Sequence, residues 1–212
     1  MRIRLVSLVF ALIASATMAD GERPGDFDYY VLSLSWSPTW CALEGDARRS
    51  PQCDARADYG WVLHGLWPQY HNGWPSYCPT AQPQPSRQMT SEMTDIMGSP
   101  GLAWYQWKKH GSCSGLSASA YYDLARRAYD SVIRPPVFRK LDRSVTLPAK
   151  VIEDTFLQAN PGLEPDMLTI ICKSGRIQEA RLCLSKSLLP VPCGRDVSRD
   201  CGLKDALLEP IR

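Results

Sequence analysis

The chain contains three histidines, at positions 64, 71 and 110, and two of them sit in related settings. "WVLHGLWPQY" (Trp61–Tyr70) places His64 between a hydrophobic run and a Gly-Leu-Trp-Pro turn. "WYQWKKHGSC" (Trp104–Cys113) places His110 after two lysines and before a glycine. Two imidazoles converging on one target can remove one proton and deliver another, each positioned transfer being worth ~10²–10⁴-fold in rate. Lys109 adds a cation able to stabilise charge that develops between them. This set, with no evident serine or cysteine nucleophile and no metal site, suits an in-line phosphoryl transfer. RNA would need no nucleophile from the protein, because it brings its own 2′-hydroxyl.

The plainer reading is that a histidine beside a tryptophan merely packs. His71, in the polar turn "YHNGW", reads as exposed and without a role. Trp61, Trp104 and Trp107 read as core, whereas Trp67, tied to the histidine turn by Pro68, is the better platform for a stacked base.

The elements that would carry these residues can be read from pattern. "FDYYVLSLSW" (Phe27–Trp36) is aromatic and β-branched and reads as a strand; "GWVLHGLW" reads as a second, closed by Pro68. Strict alternation along it would group Val62, His64 and Leu66 on one face, and Trp61, Leu63 and Trp67 on the other. "LAWYQWKKHG" reads as a helix end with His110 in its last turn and Gly111 as a left-handed terminator. Gln106, Lys109 and His110 would then share one side of that helix. Ser117–Val132 and Pro148–Asn160 read as capped helices, and "MLTIICKSGRIQEARLCLS" as a hairpin turning at Lys173-Ser174-Gly175. The proline-rich "CPTAQPQPSRQ" reads as an extended surface loop. Strands that pair locally rather than alternating with helices indicate a single-domain α+β fold.

Bulk features narrow the setting. Residues 1–19 have the charged start, apolar middle and small-residue end of a signal peptide, cut after Ala19 or alternatively after Ala16, and are too short for a membrane span. The mature domain is then 20–212, secreted or periplasmic, with no membrane anchor. Removing Arg2 and Arg4 with the leader leaves a neutral chain, so any polyanion must be held by a local cluster. The eight cysteines (41, 53, 78, 113, 172, 183, 193 and 201) favour disulfides over zinc, since no Cys-x-x-Cys occurs. There is no Asn-x-Ser/Thr site for glycosylation.

"HGLWP" followed by "WKKHGSC" resembles the two active-site segments of the T2 ribonuclease family, the secreted acid endoribonucleases. The likeness extends to "FDYYVLSLSWSPTWC" and the C-terminal cysteine cluster. It implies an α+β fold with an antiparallel sheet and several packed helices. It also implies metal-independent cleavage of single-stranded RNA through a 2′,3′-cyclic phosphate, with low base specificity, by a monomer. By the same resemblance His64 is the general acid, His110 the general base and Lys109 the stabiliser of the transition state. Trp67 and Gln69 would contact a base, with Trp74 and Tyr77 as further candidates. The implied disulfides are Cys41–Cys53, Cys78–Cys113, Cys172–Cys201 and Cys183–Cys193.

The chain departs from that pattern at Tyr105 and Gln106, where the family usually has His-Glu. Tyrosine and glutamine still donate hydrogen bonds to phosphate, but neither supplies the missing ionisable group. A weakened RNA-binding or toxin-like relative therefore stands beside the enzyme reading, and so does a disulfide-stapled extracellular recognition module.

Overall fold

The computed structural model describes residues 22–212, so the expected leader and cleavage point lie outside the described residues. These residues form six strands: β1 (Tyr29–Trp36), β2 (Trp61–Gln69), β3 (Val145–Leu147), β4 (Leu168–Lys173), β5 (Arg176–Leu184) and β6 (Ala206–Leu208). Six helical segments accompany them: α1 (Ser37–Trp40), α2 (Arg87–Glu92), α3 (Thr94–Met97), α4 (Pro100–Lys109), α5 (Ala118–Asp130) and α6 (Ala149–Ala159). The sheet runs β2-β1-β5-β6-β3, with β4 also on β5, and is antiparallel except where β5 meets β6.

Local chemistry accounts for most of these boundaries. Ser117 caps α5 by accepting from the Ala120 N–H, and Ser99 caps α4 through the N–H groups of Gly101 and Leu102. The β4–β5 hairpin turns through Ser174 and Gly175, both with positive φ, as a two-residue loop matched to strand twist requires. All four implied disulfides are present and no described cysteine is free. No helix among the described residues is long and apolar enough to cross a membrane.

The core fills one face of the sheet. Leu32, Leu34 and Trp36 of β1, Leu63 and Leu66 of β2, and Ala180 and Leu182 of β5 pack there against Trp107, Tyr121, Ile152 and Phe156 from the helices. A smaller cluster of Tyr29, Val31, Cys183 and Val197 lies apart from it.

Three expectations are corrected. Strand β2 does not end at Pro68 but continues to Gln69, with Pro68 opposite Tyr30. As an edge strand, β2 can carry a proline whose missing N–H faces away from the ladder. Gly111 is not left-handed. It opens a 3₁₀ turn, Gly111–Ser114, and the left-handed residue is Gly115 at φ 77°. Glycine is needed at 111 for another reason, since a Cβ there would lie 2.5 Å from the Trp107 ring. Trp104 is not core but 43% exposed, beneath the Lys108 ammonium.

Candidate active site

The first histidine owes its position to a break in strand register. Ser33 pairs with Gly65 and Leu34 with Leu63, so His64 is the extra residue of a β-bulge. The bulge resets the alternation. Leu63 and Leu66 both reach the core, while Val62, His64 and Trp67 line cavities away from it, which replaces the strict period-two grouping.

The bulged imidazole is held from across the sheet. His64 Nδ1 lies 2.7 Å from Oε1 of Glu179, a buried residue on β5. Arg181, two residues along and so on the same face, donates from Nε at 2.8 Å and from Nη2 at 2.7 Å to Glu179 Oε2. Burial alone would raise the Glu179 carboxyl, but the hydrogen bonds and charges of His64 and Arg181 outweigh it and hold the group down at about 2. Glu179 is thus a carboxylate at any moderate pH. As an acceptor it fixes the Nδ1–H tautomer of His64 and leaves Nε2 for other work.

The second histidine stands in the opposite environment. His110 ends α4, its N–H bonded to the Gln106 carbonyl, and its side chain is buried with Nδ1 unpartnered among the described residues. Burial, then the Lys109 charge, then His64, push the imidazole down to about 3. The segment is pinned from outside. Cys113 bonds to Cys78, and the adjacent Tyr77 N–H caps the Lys109 carbonyl at 2.8 Å.

Trp67 joins the two histidines. Its ring centroid is 5.1 Å from that of His64, edge-on, and 5.2 Å from that of His110, stacked. Its Nε1–H donates to Gln106 Oε1 at 2.7 Å. Gly65 makes this contact possible, because a Cβ there would stand 2.3 Å from both atoms of the bond. With Oε1 so engaged, the Gln106 amide N–H groups remain as the donors that this residue can offer to a ligand.

These groups line a cavity of about 430 Å³, and it gathers most of the residues singled out from sequence. His64, Trp67, Gln69, Trp74, Tyr105, Gln106, Lys109 and His110 all contribute to its wall. Tyr77 does not, but its hydroxyl lies 3.2 Å from that of Tyr105. A second cavity, of about 640 Å³, shares His64 and Tyr105 with the first and also reaches Arg48 and Arg49. His71 is exposed, as expected. Glu179 and Arg181 went unnoticed in the sequence. Their signal is a Glu-x-Arg pair inside a strand whose alternate positions, Ala180 and Leu182, are fully buried.

An α+β fold with two histidines of contrasting environment around one indole and one lysine suits acid–base phosphoryl transfer. The sequence profile of the Ribonuclease T2 family matches residues 27–193. A ribonuclease of Aeromonas hydrophila is 34% identical, with 99% of each chain covered. A probable ribonuclease of Haemophilus influenzae is 32% identical over 51% of this chain and 44% of its own length. The crystal structure of RNase NT in complex with 5′-AMP superimposes with a TM-score of 0.63 at 20% identity, covering 88% of this chain and 100% of that one. The chain belongs to the ribonuclease T2 family and is an endoribonuclease.

Proposed function

We propose that the enzyme cleaves single-stranded RNA by attack of the 2′-hydroxyl on the adjacent phosphorus, giving a 2′,3′-cyclic phosphate, with no metal. His110 is the base that accepts the 2′-hydroxyl proton, and His64 the acid that protonates the departing 5′-oxygen. Lys109 stabilises charge on the non-bridging oxygens. The observation that carries this reading is the contrast between the histidines. Burial and Lys109 keep His110 neutral, as a base must be, while Glu179 gives His64 a fixed tautomer and an anionic partner for its protonated form.

The aromatic wall of Trp67, Trp74 and Tyr105 suits a base held by stacking, which tolerates any base, and supports low base specificity. Gln69, in the same wall, and Tyr77, whose hydroxyl meets that of Tyr105, are further base contacts. Nucleotide binding by RNase NT is consistent with this placement. The leader-like N-terminus and four disulfides support export to the periplasm or the medium.

The test is substitution of each histidine. His64→Ala and His110→Ala should each lower turnover of homopolymeric RNA by orders of magnitude in protein that still unfolds cooperatively. Near-normal turnover in either variant would remove that residue from the mechanism.

A further inference from the structure

We propose that Arg181 is a substrate-binding residue whose guanidinium holds the phosphate of the nucleotide bound in the histidine cavity. The inference rests on the ribonuclease reading of that cavity. Among the described residues lining it, Lys109 and Arg181 are the only lysine or arginine side chains. Lys108 stands over Trp104 and is not part of the wall. At Tyr105 and Gln106, α4 presents neutral groups, so a phosphate there has one helix-borne cation and needs another. Strand β5 supplies it.

The geometry leaves Arg181 free to act. A guanidinium carries five N–H donors, and Glu179 Oε2 takes one from Nε and one from Nη2. The remaining three, including both on Nη1, are unclaimed by any protein acceptor among the described residues, and the side chain is partly exposed. The clamp also removes the usual disadvantage of a long side chain. Arg181 is fixed by Glu179 on one side and lies 5.2 Å from the Trp67 ring centroid, so little freedom remains to be lost on binding. Trp67 is also the neighbour of both histidines, which places Arg181 beside the atoms that would exchange protons.

Glu179 therefore has two roles toward two groups, orienting His64 through one oxygen and Arg181 through the other. The rival account is that Arg181 only neutralises a buried carboxylate. The two accounts differ in what happens when the carboxylate is neutralised as well.

The experiment measures binding of adenosine 3′-monophosphate and of adenosine by calorimetry on the mature protein, with poly(A) turnover in parallel. Arg181→Gln should weaken the monophosphate about 10- to 100-fold, the worth of a charge-assisted hydrogen bond, and leave adenosine unchanged. Arg181→Lys should recover part of that loss. The double variant Glu179→Gln, Arg181→Gln should bind the monophosphate as weakly as Arg181→Gln alone. If the double variant instead regains wild-type affinity for the monophosphate, or adenosine weakens as much as its monophosphate, the inference is overturned. Failure of the wild type to cleave poly(A) would count against the ribonuclease reading, and monophosphate binding would still decide the role of Arg181.

Discussion

His64 Nδ1 and Glu179 Oε1, 115 residues apart in the chain, lie 2.7 Å from each other. The contact joins the bulge of an edge strand to the interior of the sheet. It gives one histidine a carboxylate, while the other faces an ammonium.

Glu179→Gln should lower kcat/KM by about 10²–10⁴-fold, because an amide can present its N–H to Nδ1 and favour the wrong tautomer. KM should change less than kcat. A variant that folds, as judged by its melting temperature, and turns over RNA normally would show that His64 needs no orienting partner.

With His110 held at about 3, the acidic limb of kcat/KM should lie well below pH 6.5, the ordinary value for histidine. Gln106→Glu places a carboxylate one helical turn before His110 and should move that limb to higher pH. Superimposable limbs for the two proteins would show that residue 106 does not sense His110.

The same shift bears on stability. A histidine whose folded value is depressed takes up protons more readily when unfolded, so its contribution to stability is complete above pH 6.5 and is lost as pH falls towards 3. Glu179, lowered from 4.5 to about 2, adds a second loss across that lower window. Thermal melts should therefore decline steadily from pH 6.5 to pH 4, and His110→Gln should flatten the upper part of that slope.

Gly65→Ala should damage the site more than the fold. The new methyl would meet Gln106 Oε1 and Trp67 Nε1, separating a bonded pair, at a cost on the order of 1–3 kcal/mol. Turnover should drop at least tenfold, since Trp67 touches both histidines. Unchanged kinetics would show that the Trp67–Gln106 bond is dispensable.

Replacing Cys78 and Cys113 by serine should lower stability by ~2–4 kcal/mol, the usual effect of opening a loop of this length. Activity should fall before global unfolding, because this bridge pins the turn that follows His110. Urea titrations followed by activity and by fluorescence would separate the two events.

Much of this site is legible in the sequence because its signals are local. The two histidine segments, the Ser117 cap and the Ser174-Gly175 turn each declare themselves within a few residues, and the disulfides follow from resemblance. What escapes depends on partners far along the chain. The bulge at His64 exists only relative to β1, so alternation along β2 by itself put Leu66 and Trp67, beyond the bulge, on the wrong faces. Gly111 is glycine because Trp107 and Tyr121 crowd it, not because of its own φ. Glu179 and Arg181 stand out as charges in a buried strand, but nothing near them in sequence identifies His64 as what they serve.

The most direct test of the account is the chemical nature of the first product. Purified protein incubated with single-stranded RNA in the presence of EDTA, with the ends followed by phosphorus NMR, should yield 2′,3′-cyclic phosphates at a rate unaffected by the chelator. RNA methylated at the 2′-oxygen should remain intact. Cleavage of the methylated RNA or of DNA, or loss of activity with EDTA, would contradict the proposal that the substrate's own hydroxyl attacks under the control of His110 and His64.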